Sequence, residues 1–389
     1  MKVLQVCPYD IARPGGVQRH IVDLSTALAR AGHEVTVVAP AGAEPSALDP
    51  NVELLRIGRA REWGMHGTRF EVTWASRSEL AKLGSRRFDV AHFHTIWTPF
   101  VPWQIFRRQP ATHSVATFHD TPPPGLSGAV TRAAFALMSR RLSRGLDVMI
   151  AVSSAPAKHL RTSGRSWRVL LPACIDLAPY AALTREGAGG PTILFVGRLE
   201  PRKGVLLLIE AFARVKQSHP AVRLVVCGDG EQRGEAHALA ARLGVSDGVT
   251  FTGALPDAER LALYSRADLF CAPSPYGESY GLVLAEAMAA GLPVVAAANE
   301  GYRTVLTGVG AAGLVEPGDV DDLAQRLSQV LDSAELREGL SAWGRECAWR
   351  SDVNARLPEF LALYEPHLLA EARTGSATDT SARAYPARN

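Results

Sequence analysis

Two doubly wound α/β domains in tandem, joined near the middle of the chain, are predicted by three observations. Short apolar runs alternate with helical patterns almost from end to end, which is the signature of parallel strands covered by helices on both faces. The series pauses at an Ala- and Gly-rich stretch and then restarts, and 389 residues are enough for two separate cores. In such an arrangement a ligand sits where the carboxyl ends of the strands of the two domains face one another.

The first domain is expected over residues 1–175, with strands at Val3 to Cys7, Glu34 to Ala39, Val52 to Ile57, Asp89 to Phe93, Val115 to His119 and Asp147 to Val152. Its first helix runs from Val17 to Ala31, buries Val17, Ile21, Leu24 and Leu28 at helical spacing, and stops at Gly32. Residues 176–190 read as a linker. The second domain, 191–348, carries strands at Thr192 to Gly197, Arg223 to Gly228, Val249 to Gly253, Asp268 to Pro273 and Pro293 to Ala297. Helical patterns at Asp321 to Leu331 and roughly Ser351 to Leu369 close the fold, with residues 349–370 expected to pack back toward the first domain. The polar, aperiodic stretch 371–389 reads as a disordered tail.

With 47% hydrophobic and 21% charged residues the composition is that of a soluble globular protein. No stretch approaches the roughly 20 apolar residues of a membrane span, and MKVLQVCPYD has too short an apolar run for a signal peptide. Cys7, Cys174, Cys227, Cys271 and Cys347 are odd in number and lack metal-type spacing, so they read as reduced core thiols and point to a cytoplasmic protein. The net charge of +3 is unevenly spread: residues 1–180 hold 22 Lys/Arg against 13 Asp/Glu, the remainder 20 against 26. A basic first half suits an acidic or membrane-surface partner, and an Arg-rich composition from a GC-rich genome explains it equally well.

The chain is organised around Pro273 to Val295. A glycine-broken loop carrying Glu278 runs into an apolar-faced helix (Leu282, Leu284, Ala285, Met288, Ala289) with Glu286 about two turns in. Gly291 ends that helix and Pro293 opens a buried strand. Loop amides at a helix start favour phosphate, and two flanking carboxylates can bind hydroxyls on either side of a diphosphate. Two further segments point the same way. Gly15 and Gly16, between the first strand and first helix, let backbone approach a ligand closely, although the run is not GxGxxG. Arg198 and Lys203 lie on the loop after the strand that ends at Gly197, where a planar fork and a point charge suit a diphosphate. There is no Asp-x-Asp pair at a strand end, since Asp319 to Asp321 reads as a helix start. Neutralisation therefore falls to Arg198, Lys203 and helix termini, with no metal expected.

Taken in order, CPYDIARPGGVQRHIVDL, VATFHD, IAVSS, FVGRLEPRKG, CGDGE, FTGALPDAERLALYSRAD and PYGESYGLVLAEAMAAGLPVVA resemble the large family of retaining, nucleotide-sugar-dependent glycosyltransferases with the GT-B fold (group 1 / family 4). The resemblance spans the chain up to the tail and includes the family's Glu-x7-Glu pattern as Glu278 and Glu286. It implies that Gly15 and Gly16 approach the donor, that Arg198 and Lys203 hold the diphosphate, and that Glu278 bonds hydroxyls of the transferred sugar. Ser279 and the amides of Tyr280, Gly281 and Leu282 would then line the phosphate, Glu286 would take the ribose diol, and His119 would face the sugar near its 6-position. A retaining reaction on one face of the sugar, without an assigned protein nucleophile or a cofactor, is the implied chemistry. The sequence departs from the family where Pro172-Ala173-Cys174-Ile175-Asp176 stands in place of Pro-Asn-Gly-hydrophobic-Asp.

For the acceptor, residues 59–108 interleave cations with aromatics: Arg59, Arg61, Trp63, Arg69, Phe70, Trp74, Arg77, Lys82, Arg86, Arg87, Trp97, Phe100, Trp103, Phe106, Arg107 and Arg108. Such mixtures suit a membrane interface, and equally a core with solvated arginines around it. A helix over Val130 to Leu146 sets Val130, Ala134, Leu137, Met138 and Leu142 on one face, with Arg140 and Arg144 at its edge and Arg141 intruding on it. The opening segment and VATFHD resemble phosphatidylinositol mannosyltransferases and related lipid glycosyltransferases. That implies a phosphatidylinositol- or diacylglycerol-type acceptor reached from the inner face of the plasma membrane. Exopolysaccharide or lipid-linked oligosaccharide assembly is the other reading, since His94 to Pro99 resembles a loop of such enzymes. The donor is open between GDP-mannose and a UDP-hexose, and no nucleic-acid partner is expected. Nucleotide-sugar epimerases and an inactive nucleotide-binding scaffold share the fold class. Pyridoxal-phosphate-binding phosphorylases also share it but need a Schiff-base lysine, and the second domain offers only Lys203 and Lys216.

Overall fold

The computed structural model describes residues 1–42, 48–65, 68–96, 100–121, 125–162, 166–186 and 190–365, with side chains at 61–72 and 125–128 left aside. Arg61, Trp63, Arg69, Phe70, Trp97 and the segment beyond residue 365 therefore lie outside what is described. The first sheet contains β1 (Lys2–Val6), β2 (Glu34–Ala41), β3 (Glu53–Met65), β4 (Thr68–Trp74), β5 (Phe88–His94), β6 (Ala111–Phe118), β7 (Val148–Ala151) and β8 (Trp167–Leu170). Their order is β4-β3-β2-β1-β5-β6-β7-β8. The second contains β9 (Thr192–Val196), β10 (Arg223–Cys227), β11 (Val249–Gly253), β12 (Leu269–Ala272), β13 (Val294–Ala297) and β14 (Leu314–Val315), in the order β11-β10-β9-β12-β13-β14. Both orders reverse direction beside their first strand, so each domain has a crevice at the carboxyl ends of its central strands.

All pairings are parallel except β3 with β4, a hairpin in which Trp74 stands opposite Arg59. The sequence reading stopped β3 at Ile57 and missed β4, because Arg- and Gly-rich strands at a sheet edge lack the apolar run that marks a buried one. The first helix, Gly16–Arg30, packs Ile21, Leu24 and Leu28 into the core beneath β1 and β2.

The first part of the stretch expected as a linker, residues 176–183, packs against the second domain. Leu177 and Tyr180 are buried in the second domain's core beside Tyr264 and Leu284. The passage between domains is instead a pair of adjacent extended segments, with the Ile175 amide donating to Ser351 O (3.0 Å) and the Val353 amide to Ile175 O (2.9 Å). After this second crossing the helix Val353–Tyr364 buries Phe360, Leu363 and Tyr364 in the first domain's core.

Gly204 closes the turn that carries Lys203 and starts the helix Val205–Ser218. Its φ is +71°, and an added Cβ would lie 2.5 Å from the backbone oxygen of Pro273. Gly204→Ala is expected to destabilise the chain by roughly 1–3 kcal/mol through left-handed strain and that collision. A thermal midpoint equal to the parent's would contradict this.

Candidate donor site

Strand β9 ends at Val196, and the chain turns through Gly197 and Arg198 into a short helical turn, Pro201–Lys203, that adds the cations Arg202 and Lys203. Lys203 Nζ donates to Glu278 Oε1 at 2.7 Å, and Arg202 Nη1 reaches the same oxygen at 3.2 Å. Arg202 Nε also pairs with Glu200 (2.6 Å), which holds the half-exposed Arg198 at 3.2 Å. Arg198, Arg202, Lys203 and Glu278 are therefore one continuous patch, and Glu278 is its hub. Burial alone would raise the Glu278 carboxyl, but Lys203 and Arg202 outweigh it and hold the group below its ordinary value. The Lys203 ammonium is lowered by burial, against the pull of Glu278. Three cations against two carboxylates leave the patch with an excess positive charge, which a diphosphate would neutralise.

The loop after Glu278 is fixed by its neighbours. A Cβ on Gly301 would lie 2.5 Å from Glu278 O. Gly281, at φ +119°, brings its α-carbon so close to the Tyr302 ring that a Cβ would sit at 2.7 Å. Gly281 is also the N-cap of the helix Leu282–Ala289, which has no side-chain cap and no acidic residue in its first turn. Its leading amides and the positive end of its dipole are thus available to an anion beside the cationic patch. Further along the helix, Glu286 is buried and accepts from the Tyr264 hydroxyl at 2.7 Å. Burial and then Glu286 push the Tyr264 phenol well up, while Glu286 is the main attraction that holds the Arg260 guanidinium charged against burial.

The first domain forms the opposite wall. A Cβ on Gly16 would touch Leu282 at 3.4 Å, so this glycine faces the start of the Leu282–Ala289 helix. Gly15 is exposed next to it. Thr121 Oγ1 lies 2.8 Å from Ser279 Oγ, and Ser153 donates to Ser279 O. Arg19 reaches Asp257 across the cleft at 3.3 Å, and Lys158 pairs with Glu300. His119 follows β6, two residues before Thr121, and is buried against His94 (3.1 Å) and His20 (ring centroids 5.3 Å apart). Burial is the first cause that keeps all of these imidazoles neutral: His20 falls to about 4, and His92, His94 and His119 lie well below their ordinary value.

Of the residues singled out from sequence, Arg198, Lys203 and Glu278 stand in one ion-pair network beside the Gly281 helix start, whereas Glu286 lies further along that helix with Tyr264 and Arg260 as its partners. Sequence reasoning missed Arg202 and Glu200, although Arg202 is legible as a third cation four residues beyond Arg198. Tyr264, Arg260, His20 and His94 come from distant elements, and no local spacing announces them.

Two Rossmann-like domains facing one another across a cleft, with a cationic patch at an uncapped helix start in one wall, are the architecture of the GT-B class. Models of two families match the chain: "Glycosyltransferase Family 4" over residues 14–178 and "Glycosyl transferases group 1" over residues 184–346. Phosphatidyl-myo-inositol mannosyltransferase of Mycobacterium tuberculosis is 33% identical over 94% of this chain and 97% of that protein. The protein of that name from Propionibacterium freudenreichii subsp. shermanii is 36% identical over 94% of both. Glycogen synthase of M. tuberculosis is 32% identical over 93% of this chain and 95% of its own length. Among solved structures, sucrose-phosphate synthase from Thermosynechococcus elongatus superposes with a TM-score of 0.75 at 23% identity, covering 95% of this chain and 99% of that one. The chain belongs to the group 1 / family 4 glycosyltransferases, and it is a glycosyltransferase.

The buried neutral histidines make stability pH-dependent. A histidine whose folded pKa lies below its unfolded value is protonated more readily in the unfolded chain, so stability is full above pH 6.5 and is lost as pH falls toward the folded value. His20 alone is expected to cost about 2 kcal/mol at pH 5 relative to pH 8. Thermal midpoints of chelator-treated protein that stay level across this range would refute the burial-neutral assignment.

Proposed function

We propose that this chain is a retaining hexosyltransferase that moves a hexose from GDP-mannose or a UDP-hexose to a phosphatidylinositol- or diacylglycerol-type lipid at the inner face of the membrane. The observation that carries this reading is the Arg198–Arg202–Lys203–Glu278 patch at the Leu282–Ala289 helix start, in a chain related over its length to phosphatidyl-myo-inositol mannosyltransferases. When the donor enters, its diphosphate takes Arg198, Arg202, Lys203 and the amides of Tyr280, Gly281 and Leu282, with no divalent cation at the phosphates. Glu278, freed from the two cations, accepts from hydroxyls of the transferred sugar, and Glu286 accepts from the ribose diol. The sugar C1–oxygen bond then breaks toward the diphosphate, whose growing negative charge the cations stabilise. The acceptor oxygen enters on the same face, and its proton passes to the departing phosphate oxygen. His119 orients the sugar from the opposite wall.

The acceptor side has its own support. The helix Gly125–Leu142 exposes Val130 (74%) and Leu137 (73%), with exposed Arg140, Arg141 and Arg144 following in the same row. Met138 and Leu142 turn inward, so the apolar stripe expected from sequence divides between core and solvent. Trp74 (61% exposed) and Phe100 form an exposed edge-to-face pair, whereas Trp103 and Phe106 pack into the core. An apolar row ending in arginines fits a headgroup boundary over anionic lipid. Among the described residues no helix is long and apolar enough to cross a membrane.

The test is a matrix of donors (GDP-mannose, UDP-glucose, UDP-galactose) against acceptors (phosphatidylinositol, diacylglycerol, and an α-glucan because of the glycogen synthase relative), with products identified by mass. A lipid-linked hexose is expected, and transfer to glucan alone would replace the lipid reading. Glu286→Gln should weaken nucleotide binding about 10- to 100-fold. Glu278→Gln should lower kcat on the order of 100-fold while moving the donor KM much less. Parental rates in both variants would show that the donor binds elsewhere. For the surface, Leu137→Glu together with Arg140→Glu should abolish co-sedimentation with anionic liposomes at low salt and leave nucleotide binding at the parental level. Retention of liposome binding would place the membrane contact on another face.

A further inference from the structure

Beneath His119 the first domain holds more imidazole than an orienting role requires. His20 on the first helix, His94 at the end of β5 and His119 just after β6 each bring one ring nitrogen into a cluster whose atoms all lie within 4.8 Å of one another. The protons on the three rings follow from their other partners. His20 Nδ1 sits 2.7 Å from Cys174 O, and a carbonyl only accepts, so Nδ1 carries the proton. The Cys174 amide is also 3.2 Å from Nδ1, but the shorter carbonyl contact decides the tautomer. His20 Nε2 is then a bare lone pair, fully buried and without a hydrogen-bond partner among the described residues. His94 Nε2 lies 2.8 Å from Gln5 Oε1, and Gln5 Nε2 donates to the Tyr364 hydroxyl, so His94 Nε2 is the donor and its Nδ1 lone pair faces the cluster. His119 Nε2 sits 3.1 Å from that lone pair.

A buried, unpartnered acceptor beside two more neutral nitrogens is costly unless something electrophilic joins them. We propose that His20 Nε2, His94 Nδ1 and His119 Nε2 bind a single divalent transition cation of the Zn²⁺ class. Imidazole suits Zn²⁺, Co²⁺ and Ni²⁺ better than Mg²⁺ or Ca²⁺, and three histidines leave the fourth tetrahedral position to water or a hydroxyl. Tetrahedral Zn–N bonds of about 2.0–2.1 Å place ligand nitrogens about 3.4 Å apart, so on binding the rings rotate inward from a cluster in which these atoms lie within 4.8 Å of one another. Binding breaks the His119–His94 hydrogen bond and moves the His119 proton from Nε2 to Nδ1, with no net proton released. The outer shell is already in place, because Cys174 O orients His20 and Gln5, held by Tyr364, orients His94. This site lies on the wall opposite the Arg198–Lys203 patch. It does not depend on the identity of donor or acceptor.

The experiment uses the full, tag-free chain, stripped with chelator and then equilibrated with Zn²⁺ or Co²⁺. A single tightly held Zn²⁺ per chain is expected, with a Kd of about 1 µM or below, together with the intense visible bands of tetrahedral Co²⁺. His20→Gln, His94→Gln and His119→Gln should each weaken binding at least 10-fold, and Gln5→Leu, which touches no metal, should do so about 10- to 100-fold. The control variant His159→Gln, half-buried and outside the cluster, should bind as the parent does. Metal-free melting curves establish that each variant folds, and where one does not, the parent's Co²⁺ spectrum decides. A parent without tetrahedral Co²⁺ bands, or folded cluster variants that bind Zn²⁺ as tightly as the parent, would overturn the assignment.

Discussion

The contact between Glu278 and its two cations governs the second domain's half of the cleft. A carboxylate this buried is tolerated only when paired, and Lys203 and Arg202 supply the pairing from a turn 75 residues earlier in the chain. That requirement fixes two loops at once. The turn after β9 must bring its cations forward, which it does by crossing Pro273 at Gly204. The loop after β12 must bring Glu278 back, which it does by lying against Gly301 and Tyr302. The same loop ends at Gly281, so charge pairing and helix start are set by one piece of backbone.

The first domain meets this loop through small side chains, flanked by ion pairs. Gly16 stands against Leu282, Ser153 and Thr121 both meet Ser279, and the Arg19–Asp257 and Lys158–Glu300 pairs span the same boundary. The segment that departs from the family pattern, Pro172 to Asp176, serves as the crossing between domains. Ile175 pairs with residues 351 and 353, the Asp176 amide donates to Asp23 (2.8 Å), and Cys174 O holds His20. Loss of the Asn-Gly pair is compatible with this task because the segment is extended and anchored through backbone groups.

Much of this was legible in advance, for identifiable reasons. Buried parallel strands are continuous apolar runs, so β1, β5, β9 and β12 could be placed from composition. Glycines that end helices marked Gly32 and Gly291. The Glu278 loop and the Arg198–Lys203 turn were visible because loop chemistry is local. What escaped depended on the third dimension. The β3–β4 hairpin is edge structure with little apolar signal, the two-residue β14 is too short to register, and Leu177 and Tyr180 look like linker residues until the core they fill is known. The partners of Glu286 and the ring around His119 are separated from them by tens of residues, so spacing carries no trace of them.

The second domain is, in connectivity, an insertion within the first. The cover that the first helix gives the sheet beginning at Lys2 is not completed until Phe360, Leu363 and Tyr364 arrive at the other end of the described chain, and Tyr364 closes the hydrogen-bond line from Gln5 to His92. As the polypeptide leaves the ribosome, the second domain has everything it needs to fold while the first still lacks its final layer. The histidine wall is therefore assembled last, and a chain cut short after residue 352 would keep its cationic patch but lose the scaffold beneath His94.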